Sequence, residues 1–268
     1  MTLSERRRRF YDEQYTFGRE YLSTFLGIRN EDYLDKKVLE VGGGEFGLLK
    51  ALQEYGADCT GIDIAMDRVE FARSIHKAGS IQFMVGDICN YDSVSRSEAG
   101  FDLIVLRDVI EHIRDQKAAL SVCSQLLKPG GLLYISFPPI LSPFGGHQQN
   151  LRWGRRLPYI HLLPSSIYKT VLKTIGADSA SIEALLRTKS TGITIRKILK
   201  IISNLPMKYR FKKCYLVRPD YEIRFGTKRR SYCVPNRIPY LNEFLSTGCL
   251  ITLEKEPSVS IQIPAKER

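Results

Sequence analysis

The run Val38-Leu39-Glu40-Val41-Gly42-Gly43-Gly44-Glu45-Phe46-Gly47 constrains this chain more than any other stretch. Three apolar residues and one carboxylate lead into a glycine cluster, and an apolar, helix-compatible stretch from Leu48 to Tyr55 follows. That order reads as a buried strand, a tight turn and a helix. Glycines let the backbone turn sharply and bring a ligand close to bare main chain. The helix that starts there aims unpaired N–H groups at whatever lies above the strand end. The expectation is a nucleotide-type ligand site at the carboxyl end of a first parallel strand.

The same rhythm recurs downstream. Asp58-Cys59-Thr60-Gly61-Ile62-Asp63-Ile64 is a short strand ending in a carboxylate, and Asp63 lies 21 residues past Gly42. A carboxylate at that place can accept hydrogen bonds from both hydroxyls of a ribose. A helix over 66–77 follows. Ile81 to Ile88 reads as a third strand carrying Asp87, and Phe101 to Leu106 as a fourth, followed by Arg107-Asp108-Val109-Ile110-Glu111-His112. A helix from Gln116 to Leu127 stops at Lys128-Pro129-Gly130-Gly131, and Leu132 to Phe137 is a fifth strand. Strands alternating with helices predict an α/β fold: a doubly wound, mostly parallel sheet of seven strands, covered on both faces. Ligands of such sheets bind outside the carboxyl ends of the strands, where Glu40, Asp63, Asp87 and Asp108 all fall.

On either side of this core the pattern changes. Phe10, Tyr11, Tyr15, Tyr21, Leu22 and Phe25 recur at roughly helical spacing, so residues 1–35 are read as N-terminal helices near the ligand mouth. Residues 36–140 form the core. Past Phe137 the chain is irregular, rich in Pro and Gly around Trp153, His147 and His161. Long irregular segments inside a compact domain usually serve function. Residues 141–213 are read as a cap or insertion on the acceptor side, with helices at 165–175 and 193–205. The second of these is expected to lie over the acceptor pocket. Tyr221, Ile223 and Phe225 alternate with charged residues, and Leu250-Ile251-Thr252-Leu253 is strand-like. Residues 214–256 are therefore expected to supply a closing antiparallel pair, with a loose tail over 257–268.

A chain of 268 residues with 43% hydrophobic content can bury a full core. No stretch is long and apolar enough to span a bilayer, and Arg6 to Arg9 are not followed by an apolar signal core, so a cytoplasmic protein is expected. Six cysteines without a C-x-x-C pair read as reduced packing residues. The net charge of +11 is local: Arg187 to Arg230 holds 14 Lys or Arg against Asp220 and Glu222. Such a block suits an anionic neighbour or a solvated face. The helix near 195–205, with Arg196, Lys197 and Lys200 beside an apolar face, makes weak membrane-surface contact a secondary expectation.

Together, Glu40-x-Gly42-x-Gly44, Asp63, Gly86-Asp87-Ile88, Asp108 to His112 and Leu127-Lys128-Pro129-Gly130-Gly131 resemble the class I S-adenosylmethionine-dependent methyltransferases. The likeness is greatest to the small-molecule branch that includes ubiquinone and menaquinone methyltransferases. It implies S-adenosyl-L-methionine as cofactor, bound by Glu40, Gly42, Gly44, Asp63, Ile64, Asp87, Ile88 and Arg107. Gly42 and Gly44 main chain would meet the methionine part, and Asp63 the ribose. Ile64 would pack on adenine, Asp87 and the Ile88 main chain would read the adenine edge, and Arg107 main chain would lie near the cofactor amino group. One departure is that Phe46 stands where the family usually has a third glycine, and the glycine is Gly47. Gly42-x-Gly44-x-x-Gly47 also fits the dinucleotide fingerprint, so this stretch alone leaves an NAD-dependent oxidoreductase open. Glu40, Gly86-Asp87-Ile88 and the Asp108 to His112 run favour the methyltransferase.

Transfer to oxygen needs a donor and acceptor held in line and a group to take the acceptor proton. His147 and His112 are the candidate bases, titrating near about 6.5 if unperturbed. Asp108-x-x-Glu111-His112 also resembles an acidic set that binds a divalent metal in some ubiquinone-pathway O-methyltransferases; no metal is expected here. The acceptor is expected to be a small molecule, anionic, lipid-linked or glycan-like. An RNA acceptor and a non-catalytic cofactor-binding module remain alternatives.

Overall fold

The computed structural model describes residues 3–90, 92, 100–231 and 241–257. Its centre is an eight-stranded sheet of β1 (Lys37–Val41), β2 (Asp58–Asp63), β3 (Gln82–Val85), β4 (Phe101–Arg107), β5 (Leu127–Phe137), β6 (Met207–Val217), β7 (Arg230–Ser231) and β8 (Gly248–Lys255). The order across the sheet is β3-β2-β1-β4-β5-β8-β6-β7. The pairs among β1 to β5 are parallel, whereas β8 runs antiparallel to both β5 and β6. The sheet thus has eight strands and not seven.

Alternate side chains of the central strands enter two separate cores. Leu39, Val41, Ile104, Leu106, Ile135 and Ile251 face one, and Val38, Leu103, Val105, Tyr134 and Leu250 face the other. Helices cover both sides, as the near-continuous apolar runs require. On the second side lie α1 (Leu3–Glu20), α2 (Leu22–Leu26) and α3 (Gly47–Glu54), with Ala72 of α4 (Met66–Ile75). On the first side lies α5 (Gln116–Leu126). α6 (Ser165–Thr174) and α7 (Ser179–Thr191) pack on each other through Tyr168, Leu172, Ile182 and Leu185, forming a third small core.

Several expectations change here. The helix read over 193–205 is α8 (Ile195–Ile202), and it does not cap the acceptor pocket. Ile195, Ile198 and Ile202 enter the first core beside α5, leaving Arg196, Lys197 and Lys200 exposed. The apolar face that membrane insertion would use is therefore occupied. Its N-terminus is capped by a buried carboxylate: Glu243, in α10 (Leu241–Leu245), accepts from the backbone N–H groups of Ile195 and Arg196, both at 2.8 Å. Among the described residues no helix is long and apolar enough to cross a membrane.

The alternation at Tyr221, Ile223 and Phe225 is not a strand. These residues form the short helix α9 (Asp220–Phe225), which begins after Pro219 and ends at Gly226 in the left-handed region, φ 64°. Tyr221 and Phe225, one turn apart, pack edge to face at 5.4 Å. The strand paired with β8 is β6 instead. It carries charge along its length and is exposed over most of it, as suits a strand near a sheet edge. The tail from residue 258 lies outside the described residues.

Candidate active site

The glycine turn at the end of β1 is held by close packing. Gly42 and Gly44 adopt φ of 66° and 64°, which side chains rarely tolerate. A Cβ on Gly42 would lie 2.8 Å from a Val109 methyl, and one on Gly43 would meet Phe46 and the Glu40 carboxyl. Phe46 is fully buried with φ 54°, and its ring fills the space above Gly61 and Gly43. The displaced glycine has a packing cause: a Cβ on Gly47 would sit 2.2 Å from the Tyr11 carbonyl oxygen of α1. α1 also clamps the turn. Gln14 donates to the Gly43 carbonyl at 2.8 Å and accepts from the Gly47 N–H at 2.9 Å. Sequence reasoning missed Gln14, because a glutamine on a charged helix carries no signal of its partner.

Above the turn opens a cavity of about 530 Å³. Gly42, Gly44 and Arg107 line it on one side and His112 and His147 on another, with Pro138, Ser142 and Phe144 of the long loop. Trp153 does not line it; it is 45% exposed, with Arg156 over its ring at 4.9 Å. Asp63, Ile64, Asp87 and Ile88 lie outside the cavity lining, at the carboxyl ends of β2 and β3. Asp63 is buried and accepts from the Ala65 N–H at 2.9 Å. Asp87 accepts from the Cys89 N–H at 2.9 Å. Ile64 is 71% exposed, with Met66 and Val85 also exposed, leaving an open apolar shelf at those strand ends.

Glu40 lies under the turn, 2% exposed, with Oε2 lacking a hydrogen-bond partner. Burial pushes its carboxyl up to about 8, against the opposing pull of the Arg107 cation. It is therefore largely protonated at neutral pH.

The floor of the cavity is an ion square that the sequence reading did not contain. Arg218 donates to both Asp108 oxygens at 2.7 Å and from Nε to Asp220 at 2.9 Å; Arg107 donates to Asp220 in turn. Arg218 and Asp220 are buried, and Asp108 holds a positive φ of 56°. Burial opposes ionisation of Asp220, but the Arg107 and Arg218 cations outweigh it and hold the carboxyl well below its usual range. The Arg107 guanidinium packs over the Phe17 ring at 4.5 Å, and its buried Nε has no hydrogen-bond partner.

Beside the square lies a second cluster. Glu111 is fully buried and neither carboxylate oxygen has a hydrogen-bond partner. Its Oε1 lies 3.6 Å from His147 Nε2 and 3.9 Å from His112 Nε2, and the two imidazoles meet edge to face at 5.0 Å. Burial drives His147 down to about 3, helped by His112 and Arg218, and lowers His112 as well. Burial, with the Asp108 charge, raises Glu111. The expected titration near 6.5 is therefore displaced: His147 is neutral across the physiological range. His147 stands at φ 61° just before a helical turn at Gln148–Asn150. Buried Gln148 fixes that turn by donating to the Pro143 and Leu157 carbonyls at 2.9 and 3.2 Å. Asp108, whose place in Asp108-x-x-Glu111-His112 resembles a metal-binding set, is held by Arg218. Glu111, His112 and His147 instead place one ligand atom each within 4.8 Å of the others, a nitrogen–oxygen donor set able to hold a divalent ion.

Known proteins share this fold. A methyltransferase-domain family model matches residues 6–178. A ubiquinone biosynthesis O-methyltransferase of Idiomarina loihiensis is 32% identical over 112 residues, 42% of this chain and 46% of that protein. One of Xylella fastidiosa is 35% identical over 112 residues, 39% and 46%. The chain spans less than half the length of these curated relatives. Among solved structures, the methyltransferase complexed with the Trm112 activator in Haloferax volcanii superposes with TM-score 0.56 at 13% identity, covering 94% of this chain and 95% of that one. The plantazolicin methyltransferase BamL, solved with a triazolic desmethylPZN analog and SAH, gives 0.55 at 10% identity, covering 95% and 88%. At such identity these structures show the shared fold. The chain belongs to the methyltransferase-domain family.

Proposed function

We propose that this enzyme methylates an oxygen of a small-molecule acceptor, with His147 receiving the acceptor proton and Glu111 positioned behind it. The observation that carries the reading is the Glu111–His112–His147 cluster, whose carboxyl is buried and whose two imidazoles line the cavity that also bears the glycine turn. The sulfonium supplies an electrophilic methyl, so the protein's tasks are alignment and proton removal. A neutral imidazole beside a buried carboxyl suits the second task. Burial makes His147 a weak base, and ionised Glu111 would strengthen it by stabilising the imidazolium. The relatives' O-methyltransferase names support oxygen as the target.

On the cofactor side, Gly42 and Gly44 main chain meets the methionine part and Asp63 the ribose. Ile64 packs on adenine and Asp87 with the Ile88 main chain reads its edge. The exposed shelf of Ile64, Met66 and Val85 supports that placement, because a flat apolar ring would cover it. A second reading, favoured by the three-ligand geometry, is that a divalent ion at Glu111, His112 and His147 assists the acceptor oxygen. The test is incubation of a fractionated lysate with methyl-labelled S-adenosylmethionine, with and without EDTA. Label in the small-molecule fraction supports the proposal, and label only in RNA overturns it. Loss of labelling with EDTA, restored by Mg²⁺, favours the metal reading.

A further inference from the structure

Cys214 of β6 and Cys249 of β8 face each other directly across an antiparallel pair. Opposed residues in such a pair have Cα atoms about 4.5–5.5 Å apart, inside the roughly 4.4–6.8 Å window of a disulfide. Their Sγ atoms are 3.8 Å apart, so small side-chain rotations suffice to join them. We propose that Cys214 and Cys249 form a reversible cross-strand disulfide, a redox-modification site behind the wall of the methyl-transfer cavity.

The chemistry of the two thiols is complementary. Cys249 is fully buried, whereas Cys214 is partly exposed and open to an oxidant. Hydrogen bonding with Cys249, with smaller help from Ser246 and Lys212, holds the Cys214 thiol below its usual range despite burial. Burial pushes Cys123 up to about 12 and Cys89 up to about 11, so these thiols are poor nucleophiles. Cys214 thiolate attacks one sulfur of a small-molecule disulfide such as oxidised glutathione, forming a mixed disulfide and releasing one thiolate. The neighbouring Cys214 sulfur and burial raise the Cys249 thiol, and the Cys214 part of that effect ends once Cys214 is in the mixed disulfide; Cys249 then attacks the Cys214 sulfur, and its proton passes to the second thiolate as that leaves. Two thiols are oxidised by two electrons, and one external disulfide is reduced to two thiols.

The location gives the bond a consequence. Cys249 also pairs with Phe137, which leads into Pro138, while Thr247 and Arg218 lie a few residues from the two cysteines. Pro138, Thr247 and Arg218 all line the cavity. The disulfide ties together the strand ends that carry this wall and closes a loop of about 35 residues, which constrains the unfolded chain.

The test uses the full reduced chain, incubated with oxidised glutathione, quenched with N-ethylmaleimide and read by intact mass and peptide mapping. Expected are two fewer alkylated thiols, a 214–249 cross-linked peptide, reversal by dithiothreitol, and a melting temperature higher by roughly 5–10 °C. Cys214→Ala abolishes the cross-link and the shift, while Cys233→Ala keeps both. The proposal is overturned if both thiols stay alkylatable, if glutathione remains on Cys214, or if the cross-link runs to Cys233.

Discussion

Replacing Glu40 by Gln separates the charge of this residue from its shape. The carboxyl is sealed under the glycine turn, and its folded-state value is raised from 4.5 to about 8. A raised carboxylate binds more protons in the native state than in the unfolded one between those values. Stability contributed by this group is therefore fully present below pH 4.5 and is lost as pH rises through 8. At about 1.4 kcal/mol per pH unit the loss is about 3 kcal/mol by pH 7 and approaches about 5 kcal/mol above pH 8. Glutamine keeps the volume and never ionises. The variant should match the wild type near pH 5 and exceed it progressively toward pH 8.5, by a few kcal/mol. Urea unfolding of both proteins at pH 5, 7 and 8.5 measures this directly. Parallel stability profiles would refute the buried neutral carboxyl. The same state predicts that binding the cationic cofactor draws the Glu40 proton off. Titration calorimetry in buffers of different ionisation enthalpy should show proton release in the wild type and less in the variant.

Asp63→Ala should weaken S-adenosylhomocysteine binding by about 1–3 kcal/mol, the cost of leaving ribose hydroxyls without a charged acceptor; unchanged affinity in calorimetry refutes the ribose role. Gln14→Ala removes both clamps on the glycine turn, and the same assay should show several-fold weaker binding with only a small loss of thermal stability. His147→Ala should slow turnover by roughly 10²–10⁴-fold while cofactor affinity holds. Because its pKa falls to about 3, His147 makes stability drop as pH falls below about 6.5, and acid unfolding of the Ala variant should be flatter over that window.

β1, β2 and β4 are legible because each is a largely buried run that ends at or just before a glycine or aspartate, a pattern that follows from burial on both faces. β6 is harder to read: Met207, Tyr209 and Phe211 alternate with Lys208, Arg210 and Lys212, but the alternation breaks at Lys213, the pairing shifts register between Tyr209 and Phe211, and much of the strand stays exposed. The opposite error arose at Tyr221, Ile223 and Phe225, where alternation over five residues imitates a strand within a short helix. His112 follows a strand and His147 sits in a glycine-flanked loop, which marks both as candidates, and the fold brings their rings together. Glu111 was seen only as part of a different set. What fixes its role is Arg218, which comes 110 residues after Asp108 and takes that carboxylate away. No local pattern encodes a contact at that separation.

That ion square bears on how a cation is held. S-adenosylmethionine carries a sulfonium, and the cavity wall contains the guanidiniums of Arg107, largely buried, and of Arg218, buried. Unpaired, they would repel it. Asp108 and Asp220 neutralise them, and Glu13 does the same for Arg224 through a 2.6 Å contact. The product S-adenosylhomocysteine has a neutral thioether in place of the sulfonium, so the two ligands differ at the atom that senses this field. Asp220→Asn keeps the side chain's size but leaves the guanidiniums short of one negative charge. S-adenosylmethionine should then lose affinity by about 1–2 kcal/mol more than S-adenosylhomocysteine, the size of a unit-charge interaction at an effective dielectric of about 20 across several ångströms. Calorimetry with both ligands on both proteins gives the difference. Equal losses would mean that the square acts only as a strut between β4 and α9, and that the wall's neutrality plays no part in holding the methyl donor.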